Sequence, residues 1–542
     1  MVRLWVDVRQ LSRLFSNAPK RKLTGAAAVG VILMLSAGSP AWPNSHETSR
    51  VRFVDYSTEA FEAARRENKP VFLLISAVWC YWCKYFNRNT LETDEVATYL
   101  NRNYLSIFVD HDRRMDLTRR YARGLPTIVL LAPDGQIRQS FAGALAKKDF
   151  LDVLRRVADD VRMHGAVPAS RTPRGELGIP PPEAVTKEAY QRLREGMRAF
   201  VSDRVDTVYG GFGSGDKYPH PRLLRYLLAQ YESKRDRRDL TVVESSLDAI
   251  LKSLYDPFEG GFFHYAEGRE WRQPHHEKLL HINASLAHAF DDAYRITRKP
   301  RYKQAADATV AYLRRTLYDV KDGGFYGSQT ADPLYYRLAA QARRAAVKPP
   351  VNRDKITAWN AETALTFLAL GQSASRKDFL DVAHRTLDFI RRSLITEKGA
   401  LQFYDAKTAR GQLSGQLEAN AWAALAFLEG YRVLQVDIHR QAAEHVLTYA
   451  RLELFDAAHG IFVDDRQAPL SLEANGIMAE AFIRTHRLTG RSDDLEIAKR
   501  ILGALGGVAR AILVEEVDTA GMSQGFDAVF YLTAYGSIVD RP

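Results

Sequence analysis

The feature that most constrains the fold of this chain is a glycine-containing turn, with an aromatic residue close behind, that recurs along its C-terminal part. A helix with one apolar stripe precedes each turn, and a helix that is apolar nearly all round follows it. The first kind is half-exposed and the second is buried on both sides. The six turns are "YGGFG" (209–213), "EGGFFHY" (259–265), "DGGFYGS" (322–328), "KGALQFY" (398–404), "HGIFVDD" (459–465) and, degenerate, "AGMSQGF" (520–526).

Six turns with a helix on either side predict twelve helices over residues 187–542. Six half-exposed helices around six buried ones form an (α/α)6 toroid, a barrel of the six-hairpin glycosidase type. Glycine permits the tight turns, and we expect the aromatic residues to cap one mouth of the barrel.

Residues 50–163 predict a separate α/β domain that resembles the thioredoxin fold. A buried strand, "KPVFLLIS", leads directly into the helix "CYWCKYFNRNTLE". A second strand, "LSIFVDHD", a hairpin around Asp134-Gly135 and a closing helix from about Lys147 complete the pattern. Pro126 lies where thioredoxin-like proteins carry a cis-proline that faces the disulfide. The fold class is therefore multidomain, a thioredoxin-like domain followed by an all-α toroid.

The two cysteines of the chain, Cys80 and Cys83, form a single Cys-x-x-C pair at the start of that helix. A helix N-terminus favours a thiolate, so we expect Cys80 to be an exposed nucleophile with a lowered pKa, near the positive charge of Lys84. Cys83, one turn further, would resolve the mixed disulfide. A structural bridge across so short a loop would stabilise little, and zinc would need ligands that no further cysteine supplies. No metal or cofactor is expected.

The start of the chain has the pattern of a bacterial secretory signal. A basic segment, "APKRK", precedes an apolar stretch of 16 residues (23–38), and small residues at Ser39 and Ala41 suggest cleavage after residue 41. The stretch falls short of the roughly 20 residues of a spanning helix, although an uncleaved anchor stays an alternative. We therefore expect a periplasmic or otherwise exported protein, attached to a membrane only if the signal is retained.

Two further features of composition limit the organisation and the partners. Residues 1–41 hold six Lys and Arg against one Asp, which leaves +6 of the net charge of +11 for the rest of the chain. No basic run with interleaved aromatics stands out there, so nucleic acid is not an expected partner. A segment rich in proline, residues 164–186, predicts a semi-rigid linker between the two domains.

Several longer stretches give the chain a more specific resemblance. They are "CYWC", "VDHDRRMDLTRRYAR", "GGFGSGDKYPHP", "EGGFFHYAEGREWRQPHHEKLLHINASL", "DGGFYGSQTADP" and "DKITAWNAETAL". Apart from the signal, nearly the whole chain resembles the spermatogenesis-associated thioredoxin-like family and its bacterial relatives. That resemblance implies a thioredoxin-like domain joined to an (α/α)6 barrel related to the N-acylglucosamine 2-epimerases. The family's redox motif usually carries histidines where Tyr81 and Lys84 stand here.

The same resemblance implies a ligand site at the barrel mouth. Glu277 and His281 are four residues apart, so on one helix they would share a face and could act as an acid–base pair. Glu418 and Asn420, and later Glu473 and Asn475, are two apart, so only one member of each pair can face the lumen. The candidate lining residues are Trp271, His275, His276, Glu277, Lys278, His281, Asn283, Lys355, Trp359 and Asn360.

Three functional hypotheses follow. The first is an exported thiol–disulfide oxidoreductase in which Cys80 attacks, Cys83 resolves and Pro126 positions the partner chain. Its partners would be a disulfide-bearing protein substrate and a redox partner protein, while the barrel binds the substrate, a carbohydrate or a peptide. The second is a sugar epimerase or isomerase barrel with a regulatory thioredoxin-like domain. The third is a non-catalytic periplasmic binding or scaffold protein.

Overall fold

The computed structural model describes residues 48–164, 181–514 and 522–540. The chain divides into two units, Met1–Asn44 and Ser45–Pro542, and the fold below is that of the second unit. The predicted signal peptide (1–41) and most of the predicted linker (164–186) lie outside the described residues. Within the described ranges, no helix combines the length and the apolar character that a membrane span requires.

The thioredoxin-like prediction is confirmed: a five-stranded sheet is flanked by helices on both faces. The strands are β1 (Phe53–Asp55), β2 (Val71–Ser76), β3 (Leu105–Asp110), β4 (Thr127–Leu131) and β5 (Ile137–Ala142). The helices are α1 (Thr58–Glu67), α2 (Tyr81–Phe86), α3 (Asp94–Asn103), α4 (Met115–Tyr121) and α5 (Lys147–His164), with a π-helix at Asn87–Leu91.

The sheet order is β1-β3-β2-β4-β5. The first three strands of that order are parallel, and β4 and β5 complete the sheet in antiparallel pairings. Strands β2 and β4 are central and consist of buried apolar residues almost throughout, as expected for strands covered on both faces. The short edge strand β1 has a mostly exposed pattern, which explains why the sequence analysis missed it.

Twelve long helices among the described residues form the two rings of the second domain, as the repeat predicts. The outer helices are α6 (Lys187–Arg204), α8 (Arg237–Ser253), α10 (Pro300–Tyr312), α14 (Lys377–Leu394), α16 (Asp437–Tyr449) and α18 (Ser492–Leu513). The inner helices are α7 (Pro221–Lys234), α9 (Leu280–Thr297), α13 (Thr357–Ser373), α15 (Leu417–Leu434), α17 (Leu472–Thr489) and α19 (Met522–Val539). Each inner helix contacts the next, and α19 returns to contact α7, so the inner ring is closed.

Smaller elements fill the connections that lead into the inner helices. Two of the outer helices continue into π-helices, Leu313–Leu317 and Ala450–Leu454, and the short helices α11 (Pro333–Tyr336) and α12 (Ala340–Ala345) lie before α13. The short strands are β6 (Tyr265–Glu267), β7 (Gln273–His275), β8 (Lys278–Leu279), β9 (Ser328–Gln329), β10 (Val351–Asn352), β11 (Lys355–Ile356), β12 (Ile395–Thr396), β13 (Gly399–Ala400), β14 (Phe403–Asp405), β15 (Arg410–Gln412), β16 (Phe455–Asp456) and β17 (Ile461–Phe462).

The opposite end of the barrel has very short connections. Each link from an inner helix to the following outer helix is two or three residues long. A residue with left-handed backbone ends the helix or follows its end in every case, as is common at helix C-termini. These residues are Arg235, Arg298, Ser375, Gln435 and Gly490.

Four of the six predicted glycine turns are held by an asparagine from the next inner helix. Asn283 accepts a hydrogen bond from the Phe262 N–H at 2.7 Å and donates to the Phe262 carbonyl at 3.0 Å. Asn360, Asn420 and Asn475 bridge the next three turns in the same way. The turn itself needs glycine, since a Cβ on Gly260, whose φ is +76°, would lie 2.5 Å from the Ala308 carbonyl oxygen.

A buried lysine fixes three of these turns as well. Lys217, Lys278 and Lys355 each donate to a carboxylate and to a carbonyl oxygen of the turn that precedes them. The prediction that Lys278, Asn283, Lys355 and Asn360 line a ligand site is therefore wrong. Their polar atoms bind the turns, and Lys278 and Asn283 are fully buried.

Trp271 and the sixth turn also depart from the sequence prediction. Trp271 is buried, and its Nε1 donates to the Gly210 carbonyl at 3.3 Å while its ring fills the space above Gly211. It therefore packs one turn against another.

The segment "AGMSQGF" is not a turn of the repeat type from Met522 onward, because those residues begin α19.

We expect Asn283→Ala to lower the free energy of unfolding by about 1–3 kcal/mol, the usual cost of an unpaired buried N–H. The Phe262 N–H loses its acceptor in this variant, and Phe262 is fully buried. Chemical denaturation followed by circular dichroism measures the change. Gln441→Ala, on the exposed face of α16, is the matched control, and an equal loss in both variants would contradict the bridging role.

Candidate functional site

The Cys-x-x-C pair lies between the end of β2 and the first turn of α2. Both cysteines are free thiols, and Cys80 precedes the helix as its N-terminal cap. The Cys83 N–H donates a hydrogen bond to the Cys80 Sγ at 3.2 Å. The Leu125–Pro126 peptide bond is cis, as predicted, and Leu125 packs against the same cluster as the two cysteines. The arrangement is that of a dithiol site.

The barrel covers this dithiol. Cys80 and Cys83 are each only 5% exposed and share an apolar cluster with Leu279 and Ile282, which begin the inner helix α9. The prediction that Cys80 is an exposed nucleophile is therefore wrong for this conformation. The reason lies in the other domain, whose position a local sequence motif does not encode.

Burial also reverses the predicted electrostatics of Cys80. Loss of solvent raises the pKa of the Cys80 thiol well above its usual value, and the interaction with Cys83 and the negative charge of Glu277 raise it further. Burial lowers the pKa of the nearby Lys84 ammonium, an effect that Glu277 partly offsets. The expected lowered thiol pKa is thus wrong, because desolvation outweighs the helix N-terminus here.

Glu277 is a barrel residue that accepts a hydrogen bond from the dithiol motif. Its Oε1 accepts a hydrogen bond from the Tyr81 N–H at 3.2 Å. Glu277 precedes β8, whereas α9 begins at Leu280, so it does not share a helical face with His281. The predicted acid–base pair of Glu277 and His281 is therefore wrong, and each side chain belongs to a different part of the site.

Ion pairs hold the thioredoxin-like domain to the barrel. Arg113 donates to Asp354 at 2.6 and 3.0 Å and to Asp405 at 3.4 Å, and Arg119 pairs with Asp464. These three aspartates, like Glu277, lie in the connections that lead into inner helices. The thioredoxin-like domain therefore covers the mouth at which the inner helices begin.

Aromatic contacts complete the junction and account for two predicted histidines. His275 stacks on Tyr265 at a ring separation of 4.1 Å, and its Nε2 lies 2.8 Å from Glu267. Its ring also faces Trp82 of the dithiol helix at 6.3 Å. His276 stacks on Tyr336 instead, and burial lowers its pKa to about 4. Of this pair, only His275 belongs to the junction.

The barrel lumen contains a second group of polar side chains around Arg222. Arg222 of α7 donates to Glu362 of α13 at 2.8 and 3.0 Å and to Glu473 of α17 at 2.7 Å. These helices alternate around the inner ring, so the guanidinium group extends across the lumen. Its side chain remains 25% exposed, which indicates open space beside it. The rings of Trp422 and Phe530 lie 5.1 Å from the guanidinium carbon.

Two carboxyls of this lumen have strongly raised pKa values. Burial, together with the charge of Glu473, raises the pKa of both Glu418 and Asp527 to about 7. Arg119, from the thioredoxin-like domain, and Arg222 lower the pKa of Glu418 by a smaller amount. Both carboxyls can therefore gain or lose a proton near neutral pH.

His281 and Trp359 are the predicted mouth residues that the structure brings together in the lumen. Their rings are 4.3 Å apart, and burial lowers the pKa of His281 well below its usual value, so the imidazole is neutral. Sequence analysis named Glu418 and Glu473 but missed Arg222 and Asp527. All of these lie in the first two turns of inner helices, and aligning those positions across the repeats would have found them.

The sequence comparisons agree with the thioredoxin-like prediction. Residues 34–135 match the family model Thioredox_DsbH, described as a protein of unknown function, DUF255. Human spermatogenesis-associated protein 20 is 28% identical over 323 residues, which cover 53% of this chain and 40% of the human protein. The rat protein matches equally, at 28% identity and 39% of its length. The predicted resemblance is confirmed, although the chain spans about two fifths of these relatives.

The structural comparisons concern the barrel fold. A D-mannose isomerase superimposes with a TM-score of 0.53 and 11% identity, over 65% of this chain and 97% of the isomerase. The cellobiose 2-epimerase of Spirochaeta thermophila gives a TM-score of 0.51 at 14% identity, over 64% of this chain and 97% of the epimerase. At these identities the likeness establishes a shared (α/α)6 fold.

We expect Glu418→Gln to stabilise the protein at neutral and alkaline pH and to have little effect near pH 4. A carboxyl with a raised folded-state pKa keeps its proton while the unfolded chain releases it, so stability falls as pH rises from about 4 to about 7. Thermal unfolding of both proteins between pH 4 and 8 measures this. A difference that is constant with pH would contradict the assignment.

Proposed function

We propose that this protein is a thiol–disulfide oxidoreductase whose dithiol site lies at the junction of a thioredoxin-like domain and an (α/α)6 barrel. The observation that carries the proposal is the pair of free thiols at the start of α2, in which the Cys83 N–H points at the Cys80 sulfur. The cis bond before Pro126 and the adjoining Leu125 support it.

The reaction requires a disulfide as the electron acceptor. The Cys80 thiol loses its proton, and its sulfur attacks the substrate disulfide and expels one substrate thiolate. Cys83 then attacks the mixed disulfide, releases the second substrate thiol and leaves a Cys80–Cys83 disulfide. Two electrons and two protons leave the protein and yield two substrate thiols.

The electrostatics favour electron donation by this dithiol. Strongly oxidising dithiol proteins owe that property to a stabilised thiolate in their reduced form. Here burial and Glu277 raise the pKa of Cys80, so the thiolate gains no such stabilisation. We propose that the chain reduces its substrate and that a separate redox partner protein restores the thiols.

The compartment and the partners belong to the proposal as well. The secretory pattern of residues 1–41 supports an exported location, and an oxidising compartment supplies protein disulfides as substrates. Because Leu279 and Ile282 cover the thiols, a protein substrate needs these two side chains to move aside before it reaches Cys80. The barrel would then present or exclude candidate substrates.

Cys83→Ala should accumulate mixed disulfides through Cys80, because the resolving thiol is absent. Expression of the full-length variant, followed by non-reducing electrophoresis of separated cell fractions, measures the trapped species. We expect them in the exported fraction.

The double variant Cys80→Ala/Cys83→Ala is the control and should trap nothing. Failure of the wild type to reduce insulin disulfides, together with an empty trap, would contradict the proposed oxidoreductase. Trapped species confined to the cytoplasmic fraction would contradict the exported location.

A second candidate function is proton transfer on a reducing sugar in the lumen. It is favoured by the two carboxyls, Glu418 and Asp527, whose pKa values of about 7 suit acid–base chemistry beside a neutral His281. Arg222, whose side chain is 25% exposed, would orient a sugar hydroxyl or carbonyl oxygen. The fold is also that of a cellobiose 2-epimerase and a D-mannose isomerase.

Under this second function, His281→Asn and Glu418→Gln should each slow sugar turnover by about 100-fold or more, the usual worth of an acid–base group. Deuterium uptake at C2 of cellobiose in heavy water, followed by NMR, measures proton abstraction. Cys80→Ala should leave the rate unchanged. An absence of deuterium uptake with the wild type would exclude cellobiose, and blank results in both assays would favour a binding or scaffold role.

A further inference from the structure

Glu277 is a buried carboxylate, and one of its two oxygens has no hydrogen-bond partner among the described residues. The residue is 2% exposed, and its Oε1 accepts the Tyr81 N–H. Its Oε2 has no hydrogen-bond partner among the described residues. Burying a carboxylate oxygen without a hydrogen-bond partner costs free energy. An oxygen in that position therefore indicates a carboxyl group that holds or receives a proton.

The groups that face Glu277 come from both domains. Cys80 and Lys84 of the thioredoxin-like domain interact with it electrostatically, as do the barrel residues His275, Tyr218 and Tyr265. Within the described part of the chain, no Lys, Arg or His nitrogen lies close enough to form an ion pair with it. The Glu277 carboxylate is therefore not held in an ion pair, so it can exchange a proton with a neighbouring group.

The thioredoxin-like domain surrounds the dithiol with apolar side chains. Ala77, Val78 and Leu125 belong to the same cluster as the cysteines, and the barrel adds Leu279 and Ile282. Both thiols are only 5% exposed, so a nearby protein group is the readiest acceptor for a proton that leaves a thiol. Glu277 is the carboxylate whose hydrogen bond reaches the dithiol motif.

We infer that Glu277, a barrel residue, accepts the proton of the Cys80 thiol when that sulfur attacks a disulfide. The S–H bond of Cys80 breaks, its proton passes to the Glu277 carboxylate, and the sulfur forms a bond to one substrate sulfur. The substrate's second sulfur leaves as a thiolate and takes up a proton. The inference rests on the proposed function, because it concerns the same dithiol.

The charges in the pocket are consistent with this transfer. Burial raises the pKa of Glu277, and each of the two groups disfavours a negative charge on the other. A single negative charge that moves from Glu277 to Cys80 avoids both a second buried charge and a proton released into an apolar pocket. The dithiol site is thus completed by the barrel.

Glu277→Gln tests this inference in the full chain. The amide keeps an oxygen for the Tyr81 N–H but cannot accept a proton. We expect single-turnover oxidation of the reduced protein by oxidised glutathione to slow by about 10-fold or more near pH 7. The pKa of the Cys80 thiol should fall, because a neighbouring negative charge has been removed, and thiolate absorbance in a Cys83→Ser background measures it.

Proton transfer predicts that Glu277→Gln slows the oxidation although it lowers the pKa of the Cys80 thiol. This combination separates proton transfer from other roles of Glu277. If Glu277 acted only through its charge, Glu277→Gln would raise the thiolate fraction and speed the reaction. A rate that rises or stays unchanged would therefore overturn the inference. Glu277→Asp should recover part of the rate. A solvent deuterium isotope effect near unity on wild-type oxidation would also overturn it, and this measurement needs no variant.

Asp354→Asn is the matched control. It removes a barrel carboxylate that holds Arg113 at the same domain junction but does not contact the dithiol. We expect its oxidation rate to stay within about 2-fold of the wild type. An equal loss in both variants would mean that Glu277 only docks the domains. Loss of exchange in the wild type itself would instead overturn the proposed function.

Discussion

The asparagine bridges at the barrel mouth are the interaction on which the rest of the structure depends. Four inner helices each use one buried amide to bind both polar groups of the glycine turn that precedes the helix. Each bridge fixes the height at which the following inner helix begins. Glu362, Glu418 and Glu473 project from the first two turns of three bridged helices, so their positions follow from the bridges.

The same mouth binds the thioredoxin-like domain. The two candidate sites, the dithiol and the lumen, therefore both lie beside the junction of the domains. The connections that lead into the inner helices carry Glu277, Asp354 and Asp464, which bind the other domain. One or two turns further along these helices lie the groups around Arg222. Arg119 interacts with charged groups of both regions. The thioredoxin-like domain therefore contacts both the rim of the lumen and the barrel residues that cover the thiols.

The sequence predicted local features well and contacts between domains poorly. The helix count, the central strands, the dithiol and the cis bond before Pro126 depend on patterns within a few residues of one another. The burial of Cys80 depends on Leu279, some 200 residues away, and the role of Lys278 depends on Asp256. Asn283 lies in a polar stretch at the barrel mouth, where the family resemblance implies a ligand site, whereas its partners are backbone groups of a turn.

The two ends of the barrel differ in the changes of loop length that they can accommodate. At the end away from the thioredoxin-like domain, five links of two or three residues join helices through single left-handed residues. An insertion there would displace a helix of the closed inner ring, because the links have no spare residues. The mouth has long connections, such as the one between α10 and α13. We therefore expect the mouth to accommodate changes of loop length that alter specificity, whereas the opposite rim acts as a rigid base.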